Sequence, residues 1–262
     1  MDFSNEDIIH VKNENIEYIQ FRRLLDLGIK HCYTLKGENI NFKNDNPLIE
    51  ESYVKVCKSL GINRQNITIP KQSHTSDVRC IDRVMGYHEL EDIDGVITDK
   101  KYIALSTLNA DCILFLIYDP VKKVIANIHS GWRGTFQKIV EKAVVKMVNQ
   151  YGSNTEDLIV CISPCIRKCH FEVDEEVKIL CEEIFGFMGN TNEFIEKGEI
   201  KEGKQKYYID NVLINKLLLK DLGVKEENII DSNICSVCNS KKVNSYRADG
   251  NIARSTAIIQ MG

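Results

Sequence analysis

Hydrophobic residues recur at the three- and four-residue spacing of a helix in several segments of the chain. The pattern predicts helices over residues 46–62, 135–150 and 174–187. Apolar runs rich in β-branched residues predict strands between them, for example at 157–163. Strands and helices alternate irregularly, which favours a mixed α/β (α+β) fold over a regular repeat. Since the sequence contains no internal repeat and no obvious linker, we expect a single domain spanning residues 1–262.

The most informative pattern is the segment CILFLIYDPVKKVIANIH, which predicts an antiparallel hairpin. Two apolar runs flank the letters DPVK, and Asp-Pro is a common start of a turn. If residues 119–122 form the loop, Cys112 lies directly opposite His129. Directly paired residues share one face of a sheet, with Cβ atoms about 4.5 to 5.5 Å apart, which suits two ligands of one metal ion. The pairing depends on the register, because a slip of one residue would place the two side chains on opposite faces.

A third ligand would complete a metal centre of the catalytic type. His74 follows a predicted strand in the polar stretch KQSHTSD, where ligands are commonly held. Two histidines and one cysteine leave a fourth position open, as catalytic zinc requires, whereas structural zinc sites usually close with four protein ligands. The simpler alternative is that Cys112 belongs to the core and that the histidines are ordinary polar or core residues.

Other cysteines offer a competing metal site. The spacing of CSVC at 235–238 is typical of a zinc knuckle or a redox pair, and CIRKC ends at Cys169, directly before His170. A structural zinc site can be assembled from the four cysteines of these two motifs, which are Cys165, Cys169, Cys235 and Cys238. The ordinary reading is that they are small, buried hydrophobic residues.

The string HSGWRGT leads directly into a predicted helix. Unpaired backbone N–H groups at a helix start attract anions, Gly131 and Gly134 allow a ligand to approach the backbone, and Arg133 offers a planar donor fork. The pattern thus predicts a phosphate site beside His129. The alternative is an ordinary turn in which Trp132 fills the core and the arginine makes a surface ion pair. Arg247 would contribute to such a site only if the fold brings it to the same pocket.

Composition and charge exclude several classes of protein. The 262 residues carry a formal net charge of −4 with acidic and basic residues interleaved, so a nucleic-acid partner is not expected. The N-terminus lacks the pattern of a signal peptide, and no window approaches the ~20 apolar residues of a membrane span. We therefore expect a cytoplasmic protein with small-molecule partners, in which the ten cysteines stay reduced.

Six motifs together resemble the laccase-domain family, once described as multicopper polyphenol oxidases and now as zinc-dependent purine nucleoside phosphorylases with adenosine deaminase activity. They fall in the family's order within residues 70–262, and they read KQSHTSDV, DGVITD, NADCILFLIYDP, IANIHSGWRGT, ISPCIRKCHFEV and NSYRADGNIARSTAIIQM. The resemblance implies a layered α/β sandwich with mixed sheets. It also implies zinc as the cofactor, with His74, Cys112 and His129 as its ligands.

The resemblance implies two reactions at one site. One is phosphorolysis of adenosine, inosine or guanosine, with methylthioadenosine as a further candidate, to the base and ribose 1-phosphate. The other is hydrolytic deamination of adenosine to inosine. Asp111 would move a proton or orient a ligand, unless it points to the other face of its strand, while Arg133 and Arg247 would hold phosphate. A copper-dependent polyphenol oxidase and a non-enzymatic protein with a structural zinc remain the alternatives.

The chain departs from the family pattern at several positions. Lys36 stands where arginine is usual, in a shortened N-terminal stretch, so substrate contacts from that stretch lack support. Phe171 replaces a common tyrosine, and Ala253 replaces a glycine. The family pattern does not require the CSVC pair, so Cys238 is expected to be incidental.

Overall fold

Three β-sheets and the helices that cover them make up the computed structural model of the chain, which describes residues 2–13, 16–250 and 253–262. The strands found in these residues, numbered in chain order, are β1 (Ile8–Lys12), β2 (Glu17–Phe21), β3 (Lys30–Thr34), β4 (Ile67–Thr68), β5 (Val78–Cys80), β6 (Gly95–Thr98), β7 (Ala104–Asn109), β8 (Ile113–Asp119), β9 (Val124–Ser130), β10 (Ile159–Ile162), β11 (Glu172–Asp174), β12 (Ile195–Lys201), β13 (Lys204–Ile209), β14 (Ile229–Asp231) and β15 (Ser255–Gln260). The helices are α1 (Arg22–Asp26), α2 (Ile49–Leu60), α3 (Trp132–Phe136), α4 (Ile139–Tyr151), α5 (Glu175–Phe185), α6 (Asn211–Asp221) and α7 (Tyr246–Asp249).

Two of the sheets have six strands each and contain both parallel and antiparallel pairs. The first runs in the order β1-β2-β3-β15-β7-β4, and the second in the order β14-β10-β8-β9-β6-β5. Parallel pairs occur between β4 and β7, between β5 and β6, and between β10 and β14. A smaller sheet has the order β11-β13-β12. The expectation of mixed sheets is therefore confirmed.

The two large sheets pack face to face, and helices cover their outer faces. Leu105 and Ile259 of the first sheet share one buried apolar cluster with Leu116 and Ile125 of the second. Helix α2 covers the outer face of the first sheet, while α4 and α6 cover the outer face of the second with a separate apolar cluster. This order of helix, sheet, sheet and helix is the layered α/β sandwich that the sequence led us to expect.

A buried amide links the two sheets close to the predicted site. The Asn127 side chain on β9 donates to the backbone oxygens of Leu105 and Ala257, each at 2.9 Å, and accepts from the Thr107 hydroxyl. These bonds satisfy the amide inside the core, as burial of a polar group requires. Because residues two apart share one face of a strand, His129 points to the same side as Asn127, toward the first sheet.

The predicted hairpin is present as strands β8 and β9, but its predicted register is wrong by two residues. Asp119 pairs with Val124, and His129 pairs with Leu114 rather than with Cys112. The Asp119 carboxylate accepts from the amides of Val121 and Lys122 at 2.8 and 2.9 Å, so the loop begins one residue later than expected. A shift by an even number keeps every side chain on its predicted face. Cys112 lies just before β8, within reach of His129.

The predicted helices are present with shorter or interrupted bounds. The helix expected at 135–150 is divided into α3 and α4, because Lys138 takes a left-handed conformation with φ of 57°. The helix expected at 46–62 is α2, which ends at Leu60 and is capped by Gly61 in the left-handed conformation. Each helix in the described ranges is too short or too polar to span a bilayer.

Candidate metal centre

Three side chains that the sequence singled out come together at one edge of the interface between the two sheets. We call His74, Cys112 and His129 the first ligand group. Their ligand atoms all lie within 4.8 Å of one another, and Cys112 Sγ lies 3.8 Å from His74 Nε2. His129 is buried, Cys112 is half-buried and His74 is exposed. Such a group can hold a metal ion on three sides and leaves one side open.

Asp94, a residue that sequence reasoning did not assign a role, organises two of the three ligands. Its carboxylate accepts from His129 Nδ1 at 2.7 Å and from the backbone amides of Ser73, His74 and Thr75 at 3.2, 3.1 and 2.8 Å. The first contact leaves His129 Nε2 for a metal, since a ligating histidine commonly donates its other ring nitrogen to a carboxylate. The amide contacts hold the His74 backbone at φ of 64°, a left-handed conformation rare for histidine.

The electrostatics of the first ligand group favour a thiolate. Burial alone would raise the pKa of the Cys112 thiol, but the adjacent His129 and His74 side chains lower it below its usual range. For His129 the directions are reversed: burial alone would lower its pKa, but the adjacent Cys112 and Asp94 side chains raise it. The cysteine is thus prepared to bind a metal in its deprotonated form, which is the form that acts as a ligand.

Gly131 and Gly134 have a steric role in the structure. A Cβ atom on Gly131 would lie 2.7 Å from His74 Cδ2 and 3.3 Å from Cys112 Sγ. A Cβ atom on Gly134 would lie 3.2 Å from the Thr75 backbone oxygen. Both glycines let helix α3 approach the loop that carries His74, so their position is explained without a phosphate contact.

Replacing Gly131 with alanine is expected to weaken metal binding at the first ligand group by at least about tenfold, because the new methyl group displaces the His74 ring. Competition with a chromophoric chelator would measure the dissociation constant. Gly186→Ala is the matched control, because no atom lies within 4 Å of its added Cβ. An unchanged dissociation constant in the Gly131 variant would show that His74 is not held against this backbone.

A cavity of about 560 Å³ opens beside the first ligand group. Apolar walls are contributed by Trp132, Ile166 and Phe171, and basic side chains by Lys43 and Arg254, among others. This volume lies within the range of pockets that enclose small organic ligands, roughly 300–1,000 Å³. Sequence reasoning missed Lys43, which comes from the divergent N-terminal stretch that resembles the family least.

Arg133 does not line this cavity, and its predicted role toward phosphate stays a prediction. It is exposed, and its guanidinium stacks on the Trp132 ring with 4.3 Å between Cζ and the ring centroid. Among the described residues that line the cavity, Trp132 is present but Arg133, Gly131 and Gly134 are not. Helix α3 has five residues, and the predicted anion site at its start stays a prediction.

Arg247 does line the cavity, together with Arg254, so the fold brings these two distant arginines to one pocket. The Arg247 guanidinium donates to the backbone oxygens of His170 and Glu172 at 2.8 and 3.2 Å. Two of its donor groups therefore hold the cavity wall, and a role toward phosphate stays a prediction.

Asp111, which precedes a ligand, connects the cavity floor to more distant segments. Its carboxylate accepts from the hydroxyls of Ser236 and Ser245 at 2.5 and 2.7 Å, and from the Arg247 amide at 2.7 Å. The residue has a left-handed φ of 86° and is buried. These contacts make it a positioning residue for the segment around Arg247. A role in proton transfer stays a prediction.

A second set of possible ligands lies apart from the first. Cys169, His170, Cys235 and Cys238 converge with their ligand atoms within 4.8 Å of one another, and we call them the second ligand group. This group contains three of the four cysteines of the sequence-based set, with His170 in place of Cys165, which is buried in the core. Cys238, which was expected to be incidental, lies in this group.

Solved structures confirm the fold. The chain aligns with the hypothetical protein YfiH of Bacillus licheniformis at a TM-score of 0.86, over 97% of this chain and 99% of that one, with 22% identity. It aligns with YlmD of Geobacillus stearothermophilus at a TM-score of 0.81, over 96% and 98% of the two chains, with 19% identity.

Several curated proteins are similar in sequence. "Purine nucleoside phosphorylase CA_C1699" of Clostridium acetobutylicum is 32% identical over 73% of this chain and 75% of its own length. "Adenosine deaminase RL5", from an unknown prokaryotic organism, is 28% identical over 76% of both chains. "Purine nucleoside phosphorylase LACC1" of Mus musculus is 28% identical over 85% of this chain, which spans about half the length of that relative.

The family resemblance stated from the six motifs is also confirmed by a family model. The model described as multi-copper polyphenol oxidoreductase laccase matches residues 32–262, which includes both ligand groups and every residue named at the cavity. The chain belongs to this laccase-domain family.

Proposed function

We propose that the protein is a zinc-dependent enzyme of purine nucleoside metabolism, which phosphorolyses nucleosides to the base and ribose 1-phosphate and deaminates adenosine to inosine. The observation that carries the proposal is the first ligand group, a three-ligand centre with one open side at a cavity of suitable size. The names of the similar proteins support both activities.

The donor set fits zinc. Two imidazole nitrogens and one thiolate are ligands that zinc accepts at catalytic sites, and Asp94 orients His129 in the usual manner of a supporting carboxylate. His74, Cys112 and His129 would hold the ion. When bound, zinc would supply a Lewis acid that acidifies water or polarises a substrate oxygen.

The chain's own residues would bind and orient the nucleoside. Trp132 and Phe171 present aromatic surface to the cavity, on which a purine ring can stack. Lys43 and Arg254, which line the cavity, would supply positive charge for phosphate or for the ribose hydroxyls. Arg247 would keep the wall at His170 in place through its contact with the backbone oxygen there.

We further propose a cytoplasmic location and small-molecule substrates alone. The first ligand group needs a reduced thiol, which a reducing compartment maintains.

A nucleoside screen under anaerobic conditions tests the proposal. Zinc-loaded protein is incubated with adenosine, inosine or guanosine, with and without phosphate, and the products are separated by liquid chromatography. We expect inosine from adenosine without phosphate, and hypoxanthine with ribose 1-phosphate from inosine only when phosphate is present. If no nucleoside is converted while the copper-loaded protein oxidises phenols with dioxygen, the oxidase alternative is correct.

A further inference from the structure

The second ligand group lies where two neighbouring strands of the second sheet end. Strands β10 and β14 are parallel neighbours, so the loops that follow them emerge at the same edge. The first loop carries Cys169 and His170, and the second carries Cys235 and Cys238. A backbone bridge joins the loops, since the Cys165 amide donates to the Ile234 oxygen at 3.2 Å.

The distances within the second ligand group match a tetrahedron around one ion. Zinc–sulfur bonds of about 2.3 Å and zinc–nitrogen bonds of about 2.0–2.1 Å place tetrahedral sulfurs about 3.8 Å apart and nitrogen about 3.5 Å from sulfur. Cys169 Sγ lies 3.7 Å from Cys235 Sγ and 3.9 Å from Cys238 Sγ. His170 Nδ1 lies 3.2, 3.7 and 3.5 Å from the sulfurs of Cys169, Cys235 and Cys238.

Backbone hydrogen bonds fix the turn that carries Cys235 and Cys238. The Ser236 amide donates to the Cys165 oxygen at 2.9 Å, and the Asn239 amide donates to the Cys235 oxygen at 3.1 Å. The turn itself is held by the Asn239 side chain, which donates to the Cys235 backbone oxygen at 2.9 Å.

Two cysteines of the second ligand group differ from the chain's other cysteines in their exposure. Cys169 and Cys238 are exposed and gain nothing from packing, whereas Cys235 is buried, as are core cysteines such as Cys161. The sulfurs of Cys169 and Cys238 lie 3.9 Å apart, so the two residues are not joined by a disulfide in this structure, since an S–S bond is about 2.05 Å long. A shared ion would explain why these thiols and an imidazole converge.

We propose that Cys169, His170, Cys235 and Cys238 bind one structural zinc ion, distinct from the metal of the first ligand group. Four protein ligands close the site, so it has no open position for a substrate. Each cysteine binds as a thiolate and releases its proton to solvent.

The second ion would hold one wall of the cavity. The His170 backbone oxygen accepts from Arg247, and the next residue, Phe171, lines the cavity. Ser236, inside the CSVC turn, donates to Asp111 at the cavity floor. By clamping the two loops together, the ion fixes both of these contacts without taking part in the reaction.

Metal content tests the proposal, independently of the activity at the first ligand group. Proteins are purified under reducing conditions, dialysed against metal-free buffer and measured by plasma mass spectrometry. We expect two zinc ions per chain in the unmodified protein and one in Cys112→Ala. In the double variant Cys169→Ser with Cys238→Ser we expect one, and in Cys80→Ser, the matched control outside both groups, two.

The Cys112→Ala arm leaves the second ligand group intact, so the proposal stays testable even if the double variant fails to fold. Cobalt-substituted Cys112→Ala should show the intense sulfur-to-cobalt absorption of a tetrahedral site with three thiolates, and the double variant should lack it. A Cys112→Ala protein without metal would overturn the proposal. So would a disulfide among Cys169, Cys235 and Cys238, found by alkylation of that protein without reduction.

Discussion

Cys112→Ala is expected to lower the rate of nucleoside conversion by a factor of about 1,000 or more, for phosphorolysis and deamination alike. The reason is loss of the metal at the first ligand group, since a catalytic metal contributes several kcal/mol to the barrier and each 1.4 kcal/mol is about tenfold. Steady-state rates with adenosine, and with inosine plus phosphate, would measure the effect. Circular dichroism should show an unchanged fold, because the half-buried side chain packs little apolar surface.

Cys80→Ala is the matched control for this experiment. Cys80 is also half-buried, but it ends strand β5 and belongs to neither ligand group. The control should retain the full rate. Retention of the full rate by folded Cys112→Ala protein would contradict the assignment of the first ligand group.

Asp94→Asn is expected to weaken zinc binding at the first ligand group by about 10- to 100-fold, the usual effect of removing a supporting carboxylate. Asparagine has the same shape as aspartate, but one of its two terminal groups is an NH₂ donor instead of an oxygen acceptor. That NH₂ group would face other donors, because the Asp94 carboxylate accepts from His129 Nδ1 and from the amides of Ser73, His74 and Thr75. Breaking this buried network is also expected to lower the free energy of unfolding by about 3 kcal/mol. Chelator competition and urea denaturation measure the two effects.

Asp92→Asn provides a nearby comparison. Asp92 is exposed and has a φ of 56°, a conformation that asparagine tolerates. The Asp92→Asn variant should have the same dissociation constant for zinc and the same unfolding midpoint as the unmodified protein. Zinc affinity in Asp94→Asn equal to that of Asp92→Asn would mean that Asp94 does not orient His129.

The faces of the central hairpin could be predicted from the sequence, although its register could not. Two apolar runs around Asp-Pro identify the strands, but the pairing follows from the side chain of Asp119, which sets where the turn begins. Because the error was an even number of residues, Cys112 and His129 still approach one another. The prediction that Cys112 and His129 share a metal site was therefore correct about their proximity, although it rested on a direct strand pairing that does not occur in the structure.

Asp94 was missed because nothing local in the sequence marks its partners. The residue lies in the motif DGVITD, yet the loop it supports is about twenty positions earlier and His129 is 35 positions later. The same holds for the second ligand group, where the sequence-based set contained Cys165 and left out His170, although His170 directly follows Cys169. Only the parallel pairing of β10 with β14 shows which side chains of the two loops meet.

The left-handed backbone at His74 and Asp111 has a consequence for how the first ligand group is assembled. Each residue adopts a conformation that costs of order 1–3 kcal/mol unless its surroundings enforce it. Here the surroundings are hydrogen bonds made during folding: the Asp94 carboxylate accepts from the His74 amide, and the hydroxyls of Ser236 and Ser245 donate to Asp111. The conformational entropy of ordering the ligands is therefore lost when the chain folds rather than when the ion arrives. The proposed metal ion would then bind to ligands whose backbone is already fixed.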